Sequence, residues 1–232
     1  MSTGSCKMCV TGLVLARSGS KSIRNKNMVL LDNKPLLLRC LEVMQEAKCF
    51  SSIWVSTDDD KIAECAKDGG AEVHYRAQYT AVDKASSLCA VQEFLQHHPD
   101  ISVVCLVQCT SPFIRAGYLH EGMDKMQSGY DCVFSVTRRH LLRWSEGEPT
   151  YPLNFNARQR PRRQDWDGDL YENGMFYICK ARLIHEGLLQ GGRCGYIEIP
   201  HCDSLEVDSP LDVIIAQSWL SYCQQENGSQ HP

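Results

Sequence analysis

Apolar and polar positions follow two rhythms along this chain. Cys9–Ala16 is apolar with little alternation, the pattern of a central parallel strand buried on both faces. From Leu36 to Ala47, residues Leu37, Leu38, Leu41, Val43 and Met44 recur at helical spacing, and Pro35 sits where a first turn tolerates it. A short strand at Ile53–Ser56 follows. Thr57–Asp60 then offers caps for a helix with Ile62, Cys65 and Ala66 on its apolar face, ended by Gly69 and Gly70. Ala71–His74 reads as a strand and Ser86–His97 as a helix with Leu88, Val91 and Leu95 inward. Ile101–Val107 is the strongest strand pattern, followed by a helix over 115–128 and a strand at Asp131–Val136. Strand and helix thus alternate from residue 9 to residue 136, which predicts an α/β fold with a parallel sheet covered by helices.

The rhythm breaks over residues 141–173, a polar, proline-bearing and charged stretch. A structureless loop of that length is improbable in a compact domain, so it predicts a flap or an excursion stabilised by a partner subunit. Regular structure resumes at Met175–Cys179 and Gly195–Ile199. A last helix is predicted over Leu211–Tyr222, with Ile214, Ile215, Trp219 and Leu220 inward and a frayed tail from Gln224. One domain accounts for 232 residues.

Composition narrows the function. With 24 Lys+Arg against 28 Asp+Glu, the net charge of -4 argues against a general nucleic-acid binder. No apolar run is long enough for a membrane span, and Cys9–Ala16 is too brief for a signal peptide's apolar core with its cleavage site. Thirteen cysteines invite a disulfide or zinc reading. Cys6 and Cys9 make one C-x-x-C without a second pair, and most others sit in apolar runs, where thiols act as small hydrophobes. The odd count fits a reducing compartment.

In parallel α/β sheets, ligands sit beyond the carboxyl ends of the strands. The loop after the first strand reads "RSGSKSIRNKN" and carries Arg17, Lys21, Arg24 and Lys26. It lacks the glycines of a dinucleotide fingerprint and the first glycine of a Walker A loop. What remains is Gly19 for close approach, Ser18 and Ser20 as donors, and four cations that suit a polyphosphate; a solvated basic loop is the alternative. Far along the chain, "CDSLEVDSPLD" holds Asp203, Glu206, Asp208 and Asp212. Glu206 and Asp208, two apart in an extended segment, share a face and could ligate Mg²⁺. The alternative is a helix cap, with Asp208 and Ser209 standing before Pro210.

Together, "LVLARSGSKSIRNKN", "WVSTDDDKIA", "QCTSPF", "DCVFSVTRRH", "RWSE", "RPRRQDWDGDLYENGMFY" and "DSLEVDSPLD" resemble the N-acylneuraminate cytidylyltransferases, closest to the catalytic part of the vertebrate enzymes, from about Cys9 to Trp219. The resemblance implies a three-layer α/β/α sheet of the nucleotide-diphospho-sugar transferase type. It implies one catalytic domain over 1–232 with 141–173 as a dimerisation arm, and no phosphatase-like domain within these residues. The implied reaction joins CTP and a sialic acid into the CMP-sugar, releasing pyrophosphate, with Mg²⁺ or Mn²⁺. Carried over by motif, Arg17, Lys21 and Lys26 neutralise the triphosphate, and Asn27 and Ser86 join Arg17 and Lys26 in holding the nucleotide. Gln108, Arg162, Arg163, Gln164, Asn173, Phe176 and Tyr177 face the sugar, and Asp208 and Glu206 hold the metal. Where the family usually has Asp, this chain has Glu206, one methylene longer.

The resemblance further implies a homodimer or dimer of dimers. It also implies a nuclear location, because vertebrate members carry a basic import run where this chain reads "QRPRR"; the cytoplasm is the alternative. His140 and His201 are set aside as bases. Rival readings are a cytidylyltransferase for an eight-carbon sugar acid, and an inactive relative with a binding role.

Overall fold

The structure, a computed structural model, describes residues 8–228. Cys6, half of the C-x-x-C, lies outside them. In chain order the elements are β1 (Thr11–Leu15), a small hairpin of β2 (Leu30–Leu31) and β3 (Lys34–Pro35), α1 (Leu36–Ala47), β4 (Ser52–Thr57), α2 (Asp60–Asp68), β5 (Glu72–Tyr75), α3 (Ser87–His97), β6 (Val103–Val107), α4 (Ala116–Gln127), β7 (Cys132–Arg139), β8 (Asp169–Lys180), α5 (Ala181–His185), β9 (Cys194–Glu198) and α6 (Pro210–Gly228). The main sheet has the order β5-β4-β1-β6-β8-β7-β9.

The continuous apolar runs are explained by two cores, one on each face. Alternate residues of β1 and β6 point opposite ways. Val14, Cys105 and Val107 pack with Leu37, Leu41, Met44 and Leu119 from α1 and α4. Leu13, Val104 and Leu106 pack with Val91, Phe94 and Leu95 from α3, together with Leu183 and Ile184 of α5. Three layers result, and strands buried on both faces need no polar side.

Caps set the helix starts. The Asp59 carboxylate accepts from the backbone N–H groups of Lys61 and Ile62, and Ser86 Oγ accepts from Cys89 N–H. Cys40, Cys105, Cys132 and Cys179 are buried thiols. Burial pushes Cys40 and Cys105 well up and Cys179 up to about 12, which keeps them protonated and apolar in behaviour.

Three expectations are corrected. The sheet is not wholly parallel: β8 pairs antiparallel with both β6 and β7, while β7 and β9 pair parallel. Strand structure also resumes at Asp169 rather than Met175, because the polar half of β8 pairs with the end of β7, Arg139 opposite Asp169 and Val136 opposite Glu172. That half has exposed and half-buried side chains, so it carries no continuous apolar run.

The third correction is α6, which reaches Gly228 and turns Ile214 and Ile215 to solvent, 63% and 44% exposed. Ala216, Val213 and Leu220 form its inward side, against Leu31, Leu36 and Val207. Between the corrected elements, residues 141–168 hold only a Trp144–Pro152 bridge and two 3-10 turns, at Ala157–Gln159 and Arg163–Asp165.

Candidate active site

The carboxyl ends of β1, β5 and β6 open onto one cavity of about 440 Å³. Arg17, Lys21, Lys26, Asn27, Ser86 and Gln108 line it, so the expected nucleotide residues and Gln108 converge in space. Asn27 is buried and locks the loop: its Nδ2 donates to the Arg17 carbonyl at 3.0 Å, and its Oδ1 accepts from Cys109 Sγ at 3.1 Å.

The cations are held by carboxylates. Arg17 Nη1 donates to Asp83 Oδ1 at 2.7 Å, and Lys21 Nζ lies 2.6 Å from Asp83 Oδ2. These two partners hold the Asp83 carboxyl below its usual range. Lys26 Nζ donates to Asp208 Oδ1 at 2.7 Å. Arg24 is exposed and lines neither this cavity nor the second large one, and Ser18 is committed elsewhere, donating through N–H and Oγ to Asp58 at 2.9 Å each.

Two charged lining residues escaped the sequence reading. Asp83 is one acid among many until the fold sets it across from Arg17. Arg76, at the end of β5, is 8% exposed and donates to Ser56 Oγ at 3.1 Å and the Ser56 carbonyl at 2.6 Å. Burial pushes its pKa down to about 10, which still leaves a cation in the cavity wall. Neither residue stands in a glycine-rich or basic motif that would single it out.

A second cavity, of about 540 Å³, is lined by Thr137, Arg139, Glu172, Asn173, Gly174, Tyr177 and Glu206 among others. Its shape comes from an irregularity in the sheet. Phe134 pairs with Tyr177 and Val136 with Glu172, so residues 173–176 of β8 stand opposite Ser135 alone. Such a bulge re-aims side chains toward a site. Asn173 Nδ2 donates to Thr137 Oγ1 at 2.9 Å, and Asn173 Oδ1 accepts from Met175 N–H at 3.2 Å. Tyr177 donates to Glu172 at 3.2 Å, and burial pushes its pKa up to about 12.

Phe176 is no part of this wall. It is fully buried in the core, its backbone N–H donating to Ser135 Oγ, because it pairs with Val107 of β6 on the inner side of the bulge.

Glu206 lines both cavities. Its Oε1 accepts from Thr110 Oγ1 at 3.3 Å. Its carboxylate lies against Gly174, where a Cβ would come 3.4 Å from Oε2 and where φ is +73°. Burial first, then the charge of Asp208, raises the Glu206 carboxyl above its usual range.

The capping alternative holds for Ser209, whose Oγ accepts from Asp212 N–H at 3.4 Å, and not for Asp208. Asp212 Oδ2 accepts from the N–H groups of Asp208 and Ser209 at the start of α6, which leaves the Asp208 carboxylate facing Lys26. Asp203 is likewise engaged elsewhere, in a 2.7 Å ion pair with Arg115. Glu206 and Asp208 supply the oxygen donors that Mg²⁺ takes, although Asp208 is exposed, paired with Lys26 and lines neither large cavity.

Arg162, Arg163 and Gln164 line neither large cavity. Arg162 pairs with Asp165 at 2.9 Å. Arg163 lines a separate pocket of about 360 Å³ with Trp144, Arg160 and Trp166. Within one chain, this part of the expected sugar site stands apart from the rest.

A cytidylyltransferase family model matches residues 11–196, most of the chain and both cavity-forming halves of the sheet. The chain belongs to the cytidylyltransferase family. Among curated proteins it is 42% identical over 214 residues to N-acylneuraminate cytidylyltransferase A of Danio rerio, covering 90% of this chain and 50% of that one. It is 36% identical over 217 residues to the N-acylneuraminate cytidylyltransferase of Escherichia coli O18:K1:H7, covering 89% and 51%. The chain therefore spans about half the length of the curated relatives it matches.

Solved structures share the fold. One is a CMP:2-keto-3-deoxy-manno-octonic acid synthetase complexed with CTP, with TM-score 0.71, 14% identity, and coverage of 93% of this chain and 99% of that one. Another is 4-diphosphocytidyl-2C-methyl-D-erythritol synthase from Anaerococcus prevotii, with TM-score 0.68, 12% identity, and coverage of 92% and 98%.

Proposed function

We propose that this cytidylyltransferase transfers the cytidylyl group of CTP to the anomeric hydroxyl of a sialic acid, releasing pyrophosphate. The observation that carries the reading is the meeting of two cavities at Glu206, a cationic one under the opening loop and a polar one over the β8 bulge. The relatives' printed activity supplies the substrates.

The first cavity takes the nucleotide. Arg17, Lys21 and Lys26 exchange the carboxylates of Asp83 and Asp208 for phosphate oxygens and neutralise the charge that builds on pyrophosphate as it leaves. Asn27 fixes the loop, and Ser86 and Arg76 also line the cavity. The second cavity takes the sugar acid, with Gln108 and Asn173 near its junction with the first. Positioning two substrates across that junction accounts for much of the rate, since the transfer needs no covalent intermediate. A divalent ion held by Glu206 and Asp208 would supply charge neutralisation at the phosphates.

Pyrophosphate release with CTP and Mg²⁺ tests the reading. Release is expected with an N-acylneuraminate and not with an eight-carbon sugar acid. The reverse preference, or no release with either, would overturn it.

Residues 141–168 belong to this proposal as an arm between subunits. Leu141, Trp144, Tyr151 and Leu153 are each more than half exposed there, an apolar set that a second copy would cover while bringing Arg162 and Arg163 to its partner's sugar cavity. Light scattering should give a dimer or a dimer of dimers, and an active monomer at low protein concentration would contradict the arm.

A further inference from the structure

Behind the nucleotide cavity, on the outer edge of the sheet, three metal-ligating side chains from two elements meet. His74 lies on edge strand β5; Glu93 and His97 lie one helical turn apart on α3. His74 Nε2 is 2.7 Å from Glu93 Oε2, and His97 Nδ1 is 3.5 Å from Glu93 Oε1. One ligand atom from each residue can be chosen so that all lie within 4.8 Å of one another. None of the three lines either large cavity, so this cluster is separate from the proposed chemistry.

We propose that His74, Glu93 and His97 form a three-ligand Zn²⁺ site. The donor set selects the metal: two imidazole nitrogens and one carboxylate suit zinc, whereas Mg²⁺ and Ca²⁺ favour all-oxygen shells. The spacing fits as well. Tetrahedral zinc with bonds of about 2.0–2.1 Å places its ligands roughly 3.3 Å apart. The His97 Nδ1–Glu93 Oε1 separation already has this length, but that Nδ1 now donates to the Glu93 carbonyl at 3.0 Å and has to give up this bond and its proton to take the metal. The His74–Glu93 contact is a hydrogen bond, and it has to open by roughly 0.6 Å when the metal takes the proton's place.

Burial divides the labour. The side chains of His74 and Glu93 are 7% and 3% exposed, a pre-formed and dry pair, while the His97 side chain is 59% exposed and turns onto the ion from outside. Water in the fourth position completes the shell on that open side. Outer contacts hold the buried ligands in place. Glu93 Oε1 accepts from Ala77 N–H at 3.2 Å, and the His74 ring stands edge-on to Phe94 with centroids 5.3 Å apart. The site would tie α3 to the strand that leads into Arg76, so an ion there stiffens one wall of the nucleotide cavity without touching the substrate.

Titration with Co²⁺ as a spectroscopic substitute tests this in the whole chain. The wild type should develop the intense visible band of a four-coordinate ion, saturating at one equivalent and displaced by Zn²⁺. His97→Ala, an exposed change that leaves the fold intact, should lose that band and bind Zn²⁺ at least about tenfold more weakly. His201→Ala should keep it. Zn²⁺ should raise the melting temperature of the wild type and not that of His97→Ala. Only the faint band of a six-coordinate ion, a thiolate-to-cobalt band, or an intense band retained in His97→Ala would overturn the site.

Discussion

Replacing Lys26 by Ala is expected to lower kcat/KM by about 10²–10³-fold, or ~3–4 kcal/mol of transition-state stabilisation. Two losses combine. The ammonium no longer meets the developing charge on pyrophosphate, and Asp208 loses the partner that now sits 2.7 Å away. Arg17→Ala should act in the same direction, because it removes a cation from the cavity and leaves the Asp83 carboxylate with Lys21 as its one ion-pair partner there. Lys34→Ala is the control. That lysine pairs with Glu42 on the surface, so turnover should stay within about twofold and stability within about 0.5 kcal/mol. Steady-state kinetics on the three variants checks the set, with circular dichroism to confirm folding.

Glu206→Gln should lower turnover and raise stability together. The first effect, about 10²-fold, follows from removing a charge at the junction of both cavities. The second follows from linkage. Burial and Asp208 hold the Glu206 carboxyl above its unfolded value, so ionising it costs stability. That cost is absent below the unfolded pKa of about 4.3 and fully present once the pH exceeds the raised folded value. The variant should therefore melt higher than the wild type at pH 7 and match it near pH 4. Added Mg²⁺ should narrow the difference at pH 7, because the ion compensates the charge that the variant lacks. Equal melting temperatures at pH 7, or unchanged turnover, would show that Glu206 is not the strained carboxylate of the site. Glu206→Asp should instead retain turnover with an altered Mg²⁺/Mn²⁺ preference.

Elements whose signal is local were legible in the sequence. The helix from Leu36 to Ala47 begins after proline and keeps an apolar stripe, and its ends match the structure. The caps offered at Thr57–Asp60 worked because a short side chain satisfies N–H groups two or three residues away, whereas Ser86, read as the first helical residue, is itself a cap.

What failed depends on distant partners. Pairing of the polar half of β8 with Val136–Arg139 is not written in its own composition, and neither is the reversal of that strand between β6 and β7. Ile214 and Ile215 read as core because they are apolar, yet the hairpin and Val207 cover only the opposite side of α6.

The site divides along the same line. The cationic loop and the Glu206–Asp208 pair are contiguous motifs, legible in the sequence as candidates. Asp83 and Arg76 gain meaning only when folding sets them beside Arg17 and the cavity. Phe176 was assigned to the sugar by its neighbours in sequence, but strand alternation and the bulge send it into the core.

The central claim is that the loop from Arg17 to Asn27 cradles a triphosphate. Calorimetric binding of CTP and of CMP, each with Mg²⁺, to the wild type and to Lys26→Ala tests it most directly. The account predicts that the wild type prefers CTP over CMP and that Lys26→Ala loses most of that preference, with CMP affinity nearly unchanged. Equal CTP preference in both proteins, or a comparable loss for both nucleotides, would contradict it.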